Sequence, residues 1–545
     1  MFNMFKALGA GLIVAALAAC GSNTQTSAVA TSTARGTPEQ NPPLRIASLD
    51  AAAFLAELQA NPTAAQLLPL WGNPTCGVDF YYVKFWTVGG KGETTESSGA
   101  IMVPTGSAPT CSGPRPIVLY AHGTNTDKAF NIANVEDPTN TEGALIAATF
   151  AAQGFIVVAP NFAGYDISTL GYHPYLNAVQ NADEMMDILA AARTVLPNTM
   201  SSATSDSGKL LITGYSAGGY VAMATQRAIE AAGGTVTAAA PMSGPYALEA
   251  LFDTIIMGGV DLDSTVNSQF VIASYQHAYG DIYTATTDIY NPQYAAGLGN
   301  LLPSLTPIDT IFAEGLLPDA ALFDSVTPTV TIPGSALESA ELTAALAVPS
   351  DPTNPLTPLF DAGFGSSYLI NNDYRVSYAI NAATFVDGAG PLAPPGSPPA
   401  LASIPAMIPS PTLAPAFAFR QALNTNDLRN PAWFPHSPTL LCGGDSDPVV
   451  YFSVNTGTMA SMWSALPPGA VTVLDLNGTP GGAFAQLQGA FQEHQAGVLA
   501  FYESAAGGSL SAAAAEFQVV LQTHGAEAPF CSVAARSFFN LILGS

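Results

Sequence analysis

Positive charge is what this chain of 545 residues has least of: 14 Lys and Arg stand against 40 Asp and Glu, a formal net charge of −26. A surface of that sign repels nucleic-acid phosphates and anionic lipid headgroups, which argues against both as partners. Charge of either sign is sparse, at 10% of residues, and no long single-sign block reads as a disordered interaction tail. The five cysteines show no C-x-x-C spacing, so no metal site is expected. Gly481-Gly482 and Gly507-Gly508 lack any phosphate-binding pattern around them, and no nucleotide or flavin cofactor is expected either. Repeats of solenoid period are missing. An internal membrane span is missing too. The apolar run from Gly143 to Phe162 approaches the necessary length, but Gln153-Gly154 and Pro160 divide it into a helix and a strand.

What is present begins with an address. Lys6 gives a short positive start, and Gly11-Leu12-Ile13-Val14-Ala15-Ala16 an apolar stretch too short to span a bilayer. Leu17-Ala18-Ala19-Cys20 then resembles a bacterial lipobox. This implies a signal peptide over residues 1–20 and lipidation of Cys20, whose alternative is an ordinary signal peptide with an incidental cysteine. Gly21 at the next position resembles lipoproteins forwarded to the outer membrane. The expected location is therefore the bacterial cell envelope, with membrane attachment through the lipid. Residues 21–42, rich in Ser, Thr and Pro, read as a flexible tether. Beyond Cys20 remain Cys76, Cys111, Cys442 and Cys531, an even number in an exported chain. Three connectivities are open, and the pairing expected is Cys76 with Cys111 and Cys442 with Cys531.

The mean hydropathy of +0.28 is high, owing much to alanine, and the length suffices for one large core with an insertion. From Phe80 onward strands and helices alternate. Strand candidates are residues 80–88, 98–103, 117–121, 155–159, 210–213, 236–240, 439–441 and 471–476, and helical runs occupy 143–153, 181–196 and 219–232. This order predicts an α/β fold with a mostly parallel sheet. The alternation stops near Tyr246 and resumes after Arg420. Residues 43–245 and 420–545 thus read as two parts of one core, and 246–419 as an inserted cap. The cap has 16 acidic residues and one cation, Arg375, and is rich in aromatics such as Tyr275, Phe312 and Phe364. Nine prolines between Pro391 and Pro415 exclude regular helix there.

Leu211-Ile212-Thr213-Gly214-Tyr215-Ser216-Ala217-Gly218-Gly219 carries the chemistry. An apolar run ends in G-x-S-x-G and opens into a helix-like segment, the pattern of a nucleophile elbow. The turn needs glycine because a side chain at Gly214 or Gly218 would strike the neighbouring strand or helix. A serine hydroxyl is a poor nucleophile unless a base takes its proton and a carboxylate orients that base. With this elbow the chain order is Ser, acid, His, which sets aside His122 and His173; His277 lies in the cap, and His436 precedes the best acid turn. The acid expected is Asp447, in Gly443-Gly444-Asp445-Ser446-Asp447-Pro448 after a short strand. Asp445 is its rival, and Asp475 reads as a turn residue. The base expected is His524, read as a loop residue before a final helix opening at Pro529-Phe530. His494, inside the helix-like run 483–504, is the alternative. A developing oxyanion needs preorganised donors. These would be the backbone N–H of Ala217 and that of Thr124, with Gly123 as the alternative.

With His122-Gly123-Thr124, Pro160-Asn161-Phe162-Ala163-Gly164-Tyr165, His173-Pro174-Tyr175-Leu176, the elbow, Asp447-Pro448-Val449-Val450 and His524-Gly525, the chain resembles the α/β-hydrolase superfamily. Within it the resemblance is to secretory lipases of the Candida antarctica lipase A type and their bacterial relatives. Asn161 departs from that pattern, where many relatives have Asp. The resemblance implies hydrolysis of a carboxylic ester through an acyl-enzyme. A cap with one cation suits an uncharged apolar ester or lipid better than an anion. Two other readings stand beside it: a serine peptidase of the prolyl-oligopeptidase-like kind, and a catalytically dead surface lipoprotein that only binds.

Overall fold

The apolar runs of the sequence become the middle of a nine-stranded sheet, in a computed structural model that describes residues 34–544 apart from 136, 138, 139, 200–203, 352–355, 385–416, 431 and 506–510. Cys20, the leader, most of the tether and the proline-rich stretch 391–415 lie outside the described residues. The chain enters along an antiparallel edge. β1 (Leu44–Leu49) pairs with β2 (Gly77–Val88), and β2 with β3 (Thr94–Thr105). Between β1 and β2 come α1 (Ala51–Ala60) and α2 (Pro62–Trp71). Asn61 ends the first and caps the second, its Oδ1 accepting the N–H groups of Thr63 and Ala64.

Then the parallel layer is laid down: β4 (Gly113–Ala121), α3 (Thr141–Thr149), β5 (Ile156–Pro160), α4 (Ala178–Thr199), β6 (Thr204–Tyr215), α5 (Ala217–Ala231) and β7 (Ala238–Met242). It closes with β10 (Thr439–Gly443) and β11 (Val471–Asp475), around α13 (Thr456–Met462). The sheet order is β1-β2-β3-β5-β4-β6-β7-β10-β11, parallel from β5 to β11. Ile117–Ala121 and Leu210–Tyr215 are buried without a break, as strands covered on both faces must be. The fold class is the one expected: an α/β-hydrolase core.

Between β7 and β10 lie α6 (Leu248–Ile256), α7 (Ser264–Tyr279), α8 (Ile308–Ala313), α9 (Ala336–Ala345), α10 (Thr357–Ala362), α11 (Asn372–Thr384) and α12 (Ala418–Asn426). Two short strands, β8 (Phe323–Asp324) and β9 (Phe364–Gly365), pair among them. Arg420 in α12 is buried against Asp253 and Glu249 of α6 (2.7 and 3.1 Å), so this helix packs with the inserted helices rather than opening the second core segment. Arg375, the one cation of the insertion, is fully buried over the rings of Phe323 and Phe364. Its Nε donates to the Ile256 carbonyl.

Three sequence expectations need correction. The tether does not run to residue 42: Arg35 bonds Asp183 and Asp187, and Gly36 and Glu39 donate backbone N–H groups to Trp86 and Lys84. The first strand is β1, not the one near Phe80. The final helix does not begin at Pro529. After α14 (Ala485–Ala505), α15 runs from Ala512 to Leu543 with Gly525 and Pro529 inside it. A proline removes one donor, here the partner of the Gly525 carbonyl, and the long helix carries that loss. No helix among the described residues is long and apolar enough to cross a membrane.

Candidate active site

Ser216 sits between the end of β6 and the first turn of α5, with φ 58° and ψ −125°. A left-handed backbone costs a non-glycine residue about 1–3 kcal/mol and persists only where its surroundings force it. The forcing is visible. Ser216 N–H donates to the Met242 carbonyl at 3.0 Å. A Cβ at Gly214 would lie 2.3 Å from the Gly218 carbonyl oxygen, and one at Gly218 only 2.0 Å from that of Ala121. The elbow closes because those two positions are glycine, for the reason anticipated.

The loop after β10 brings Asp447 to the same edge, and α15 brings His524. His524 Nδ1 is 2.7 Å from Asp447 Oδ2, and its Nε2 is 2.9 Å from Ser216 Oγ. An ionised carboxylate only accepts, so Nδ1 carries the proton and Nε2 is left as the acceptor for the serine hydroxyl. The Asp447 side chain is 1% exposed. Its other oxygen accepts the N–H groups of Val449 and Val450 (2.8 and 3.0 Å), which fixes the carboxylate from behind. Tyr215, the residue before the nucleophile, donates its hydroxyl to the His524 main-chain carbonyl.

The rivals lie elsewhere. Asp445 faces solvent. Asp475 accepts the N–H groups of Asp445 and Asn477, the turn role expected of it. His494 is exposed on α14, its ring 5.9 Å from that of Phe530. His122 is packed among Phe130, Phe162 and Tyr165 with both ring nitrogens on backbone carbonyls. His173 is buried, and desolvation lowers it to about 3, so it stays neutral.

The loop that carries Gly123 and Thr124 is built around a residue that sequence reasoning missed. Glu142, in the first turn of α3, accepts the Gly123 N–H (3.0 Å) and the Tyr120 hydroxyl (2.7 Å). Gly123 is therefore committed to Glu142, which removes it as the alternative donor. Among the described residues neither Thr124 N–H nor Ala217 N–H meets an acceptor, and both residues line the cavity above Ser216. Nothing in the spacing of Glu142 announces this role.

That cavity has a volume of about 810 Å³. Leu67 and Trp71 of α2, Leu251 and Ile255 of α6, Val271 of α7 and Phe312 of α8 give it apolar walls. Its acidic lining residues are Glu142, Asp261, Asp263 and Asp309, with no Lys or Arg among the described lining residues. Burial raises Asp261 to about 8. Both disulfides have the expected partners, Cys76–Cys111 and Cys442–Cys531. The second ties the end of β10, beside the acid turn, to α15.

Residues 143–244 match the prolyl oligopeptidase family, a span from α3 through the elbow to just past β7 that holds the serine but neither acid nor base. No curated protein sequence matches the chain. Among solved structures, the chain is similar to a ligand-bound form of the rice cell wall degrading esterase LipA from Xanthomonas oryzae. The identity is 24%, over 92% of this chain and 98% of that one, with a TM-score of 0.60. A putative hydrolase from Legionella pneumophila follows at 18% identity, covering 79% and 90%, with a TM-score of 0.55. Candida antarctica lipase A is matched at 12% identity over 81% and 77%, its TM-score of 0.39 too low to argue from. The sheet order, the strained serine after β6 and the likeness to the first two of these structures agree: the chain has the α/β-hydrolase fold.

Proposed function

We propose that the chain is a serine carboxylic-ester hydrolase of the lipase/esterase kind, acting on neutral apolar esters. The observation that carries this reading is the 2.9 Å approach of His524 Nε2 to Ser216 Oγ on the floor of a largely apolar cavity. In this reading His524 takes the hydroxyl proton as Ser216 attacks the ester carbonyl. Thr124 and Ala217 N–H groups receive the oxyanion, while Asp447 stabilises the imidazolium. The tetrahedral adduct expels the alcohol, which takes the proton from His524. Water, activated by the same imidazole, then releases the acid. Carboxyl groups in the cavity lining, and the lack of a Lys or Arg among the described lining residues, disfavour an anionic substrate. The resemblance in fold to an enzyme described as an esterase points the same way.

Cleavage of peptides is the second reading, favoured by the prolyl oligopeptidase match, although that match is confined to the elbow segment both classes share. We also propose that the chain is exported and anchored through Cys20. Hydrolysis of neutral nitrophenyl esters from short to long acyl chain, with Ser216→Ala as control, tests the main reading. Activity that vanishes in the variant supports it, and the optimal chain length measures how much of the cavity the acyl group fills. A wild type that cleaves peptide amides and no ester in the series would sink it.

A further inference from the structure

We propose that Glu527 is a positioning residue for the triad, tying the helix that carries His524 to Ser243 after β7 and to the acid turn at Gly444. The inference rests on the serine-hydrolase reading above. His524, Glu527 and Cys531 are spaced by three and four residues on α15 and so share one helical face. Each meets a different part of the site. His524 meets Ser216 and Asp447, Cys531 is bonded to Cys442, and Glu527 Oε2 lies 2.8 Å from Ser243 Oγ.

Glu527 is 0% exposed, and no hydrogen-bond partner satisfies its Oε1. The Gly444 main chain lies flush against that oxygen: a Cβ there would sit 2.1 Å from it. This gives Gly444 its reason, since any side chain would drive the acid turn off Glu527. Ser243 is itself held at φ 40°, a conformation serine adopts only under constraint, with its N–H on the Cys442 carbonyl. Burying a carboxyl group against neutral donors, the Ser243 hydroxyl and the Gly444 main chain, with no cation facing it among the described residues, favours its neutral form. The groups facing it add to that. Asp447 from the acid turn and Asp475 from the end of β11 are both acidic, and Tyr215 and Ser243 are uncharged. Burial, then Asp447, push Glu527 well above the ordinary carboxyl range. Glu527 thus works as an acid that fills space and hydrogen-bonds, leaving Asp447 as the carboxylate His524 faces.

The test is the rate at which a fluorophosphonate, which reports serine activation whatever the natural ester, labels Ser216 across the acid and alkaline range. It is run on wild type, Glu527→Gln and Glu527→Ala. Because Gln copies a neutral carboxyl group, it keeps the neutral-pH rate within about threefold of wild type, whereas Ala, which leaves the turn unsupported, loses about 10- to 100-fold. At alkaline pH the wild type ionises Glu527 beside Asp447 and slows, and the Gln variant holds its rate. Coincident pH profiles for wild type and Gln would overturn the inference, as would an Ala rate within about twofold of wild type. If Ala does not fold, the Gln profile decides alone. A wild type that never labels would instead overturn the serine-hydrolase reading and this inference with it.

Discussion

Asp447 uses its two oxygens differently, and that division makes a sharp prediction. Oδ1 is committed to the Val449 and Val450 amides, and Oδ2 to His524 Nδ1. In Asp447→Asn the amide oxygen stays with the two backbone donors, and the NH₂ group turns toward the imidazole. His524 must then present Nδ1 as acceptor and carry its proton on Nε2, the tautomer that cannot accept from Ser216. We expect kcat to fall by about 10³- to 10⁴-fold with KM little changed and the fold intact. Steady-state kinetics beside a thermal melt check this, and a variant within tenfold of wild type would mean that another carboxylate orients the base. At this scale the strained turn at Ser216 was legible in the sequence because glycines at 214 and 218 answer a steric demand. Asp447 was legible because its turn has the right residues at the right spacing. Glu142 and Glu527 were not, since a buried carboxyl group makes no periodic mark and its partners come from distant strands.

At the scale of elements, α15 is the part of the site that sequence punctuation misled. Gly525 and Pro529 look like helix breakers, which made His524 a loop residue. In the fold the helix continues because Pro529 forfeits a single donor, while its downstream face is buried through Phe530, Val533 and Phe538. β1, α1 and α2 were missed for the opposite reason: Ala51-Ala52-Ala53-Phe54 and the residues after it offer little contrast between faces. The two disulfides let the role of α15 be measured. Cys442–Cys531 holds β10 against α15, whereas Cys76–Cys111 closes the other end of β4, away from Ala121 and the elbow. Replacing either pair by serine should cost about 2–5 kcal/mol of stability. Only the Cys442/Cys531 pair should also lower kcat at temperatures where the chain is still folded. Calorimetry and ester hydrolysis on both double variants decide it. Equal activity losses would mean that the second bridge does nothing for the site beyond general stability.

For the molecule as a whole, a chain so poor in cations buries carboxyl groups against neutral hydrogen-bond donors, and that sets how stability depends on pH. Burial raises Glu184 to about 7 and Asp261 to about 8, and Glu527 moves the same way. The unfolded chain has the ordinary values of 4.5 for Glu and 3.8 for Asp. Over the interval between, the folded chain holds protons the unfolded chain has released, so stability falls as pH rises from about 4 to about 8. His173 acts in the other direction. Burial lowers it from 6.5 to about 3, so the unfolded chain binds the extra proton below 6.5, and stability falls as the solution is acidified from there. Where both operate, three carboxyl groups outweigh one imidazole. Repulsion within a net charge of −26 adds to the alkaline loss. The melting temperature should therefore peak near pH 4–5 and decline through neutrality to about pH 9. Asp261→Asn should flatten the decline, because an amide has no proton to lose, and it should do so most between pH 4 and 8, where the wild-type group differs between the two states. A melting temperature that rises between about pH 5 and 8 would contradict the argument. An unchanged slope in Asp261→Asn would move its cause from the insertion to Glu184 and Glu527 in the core.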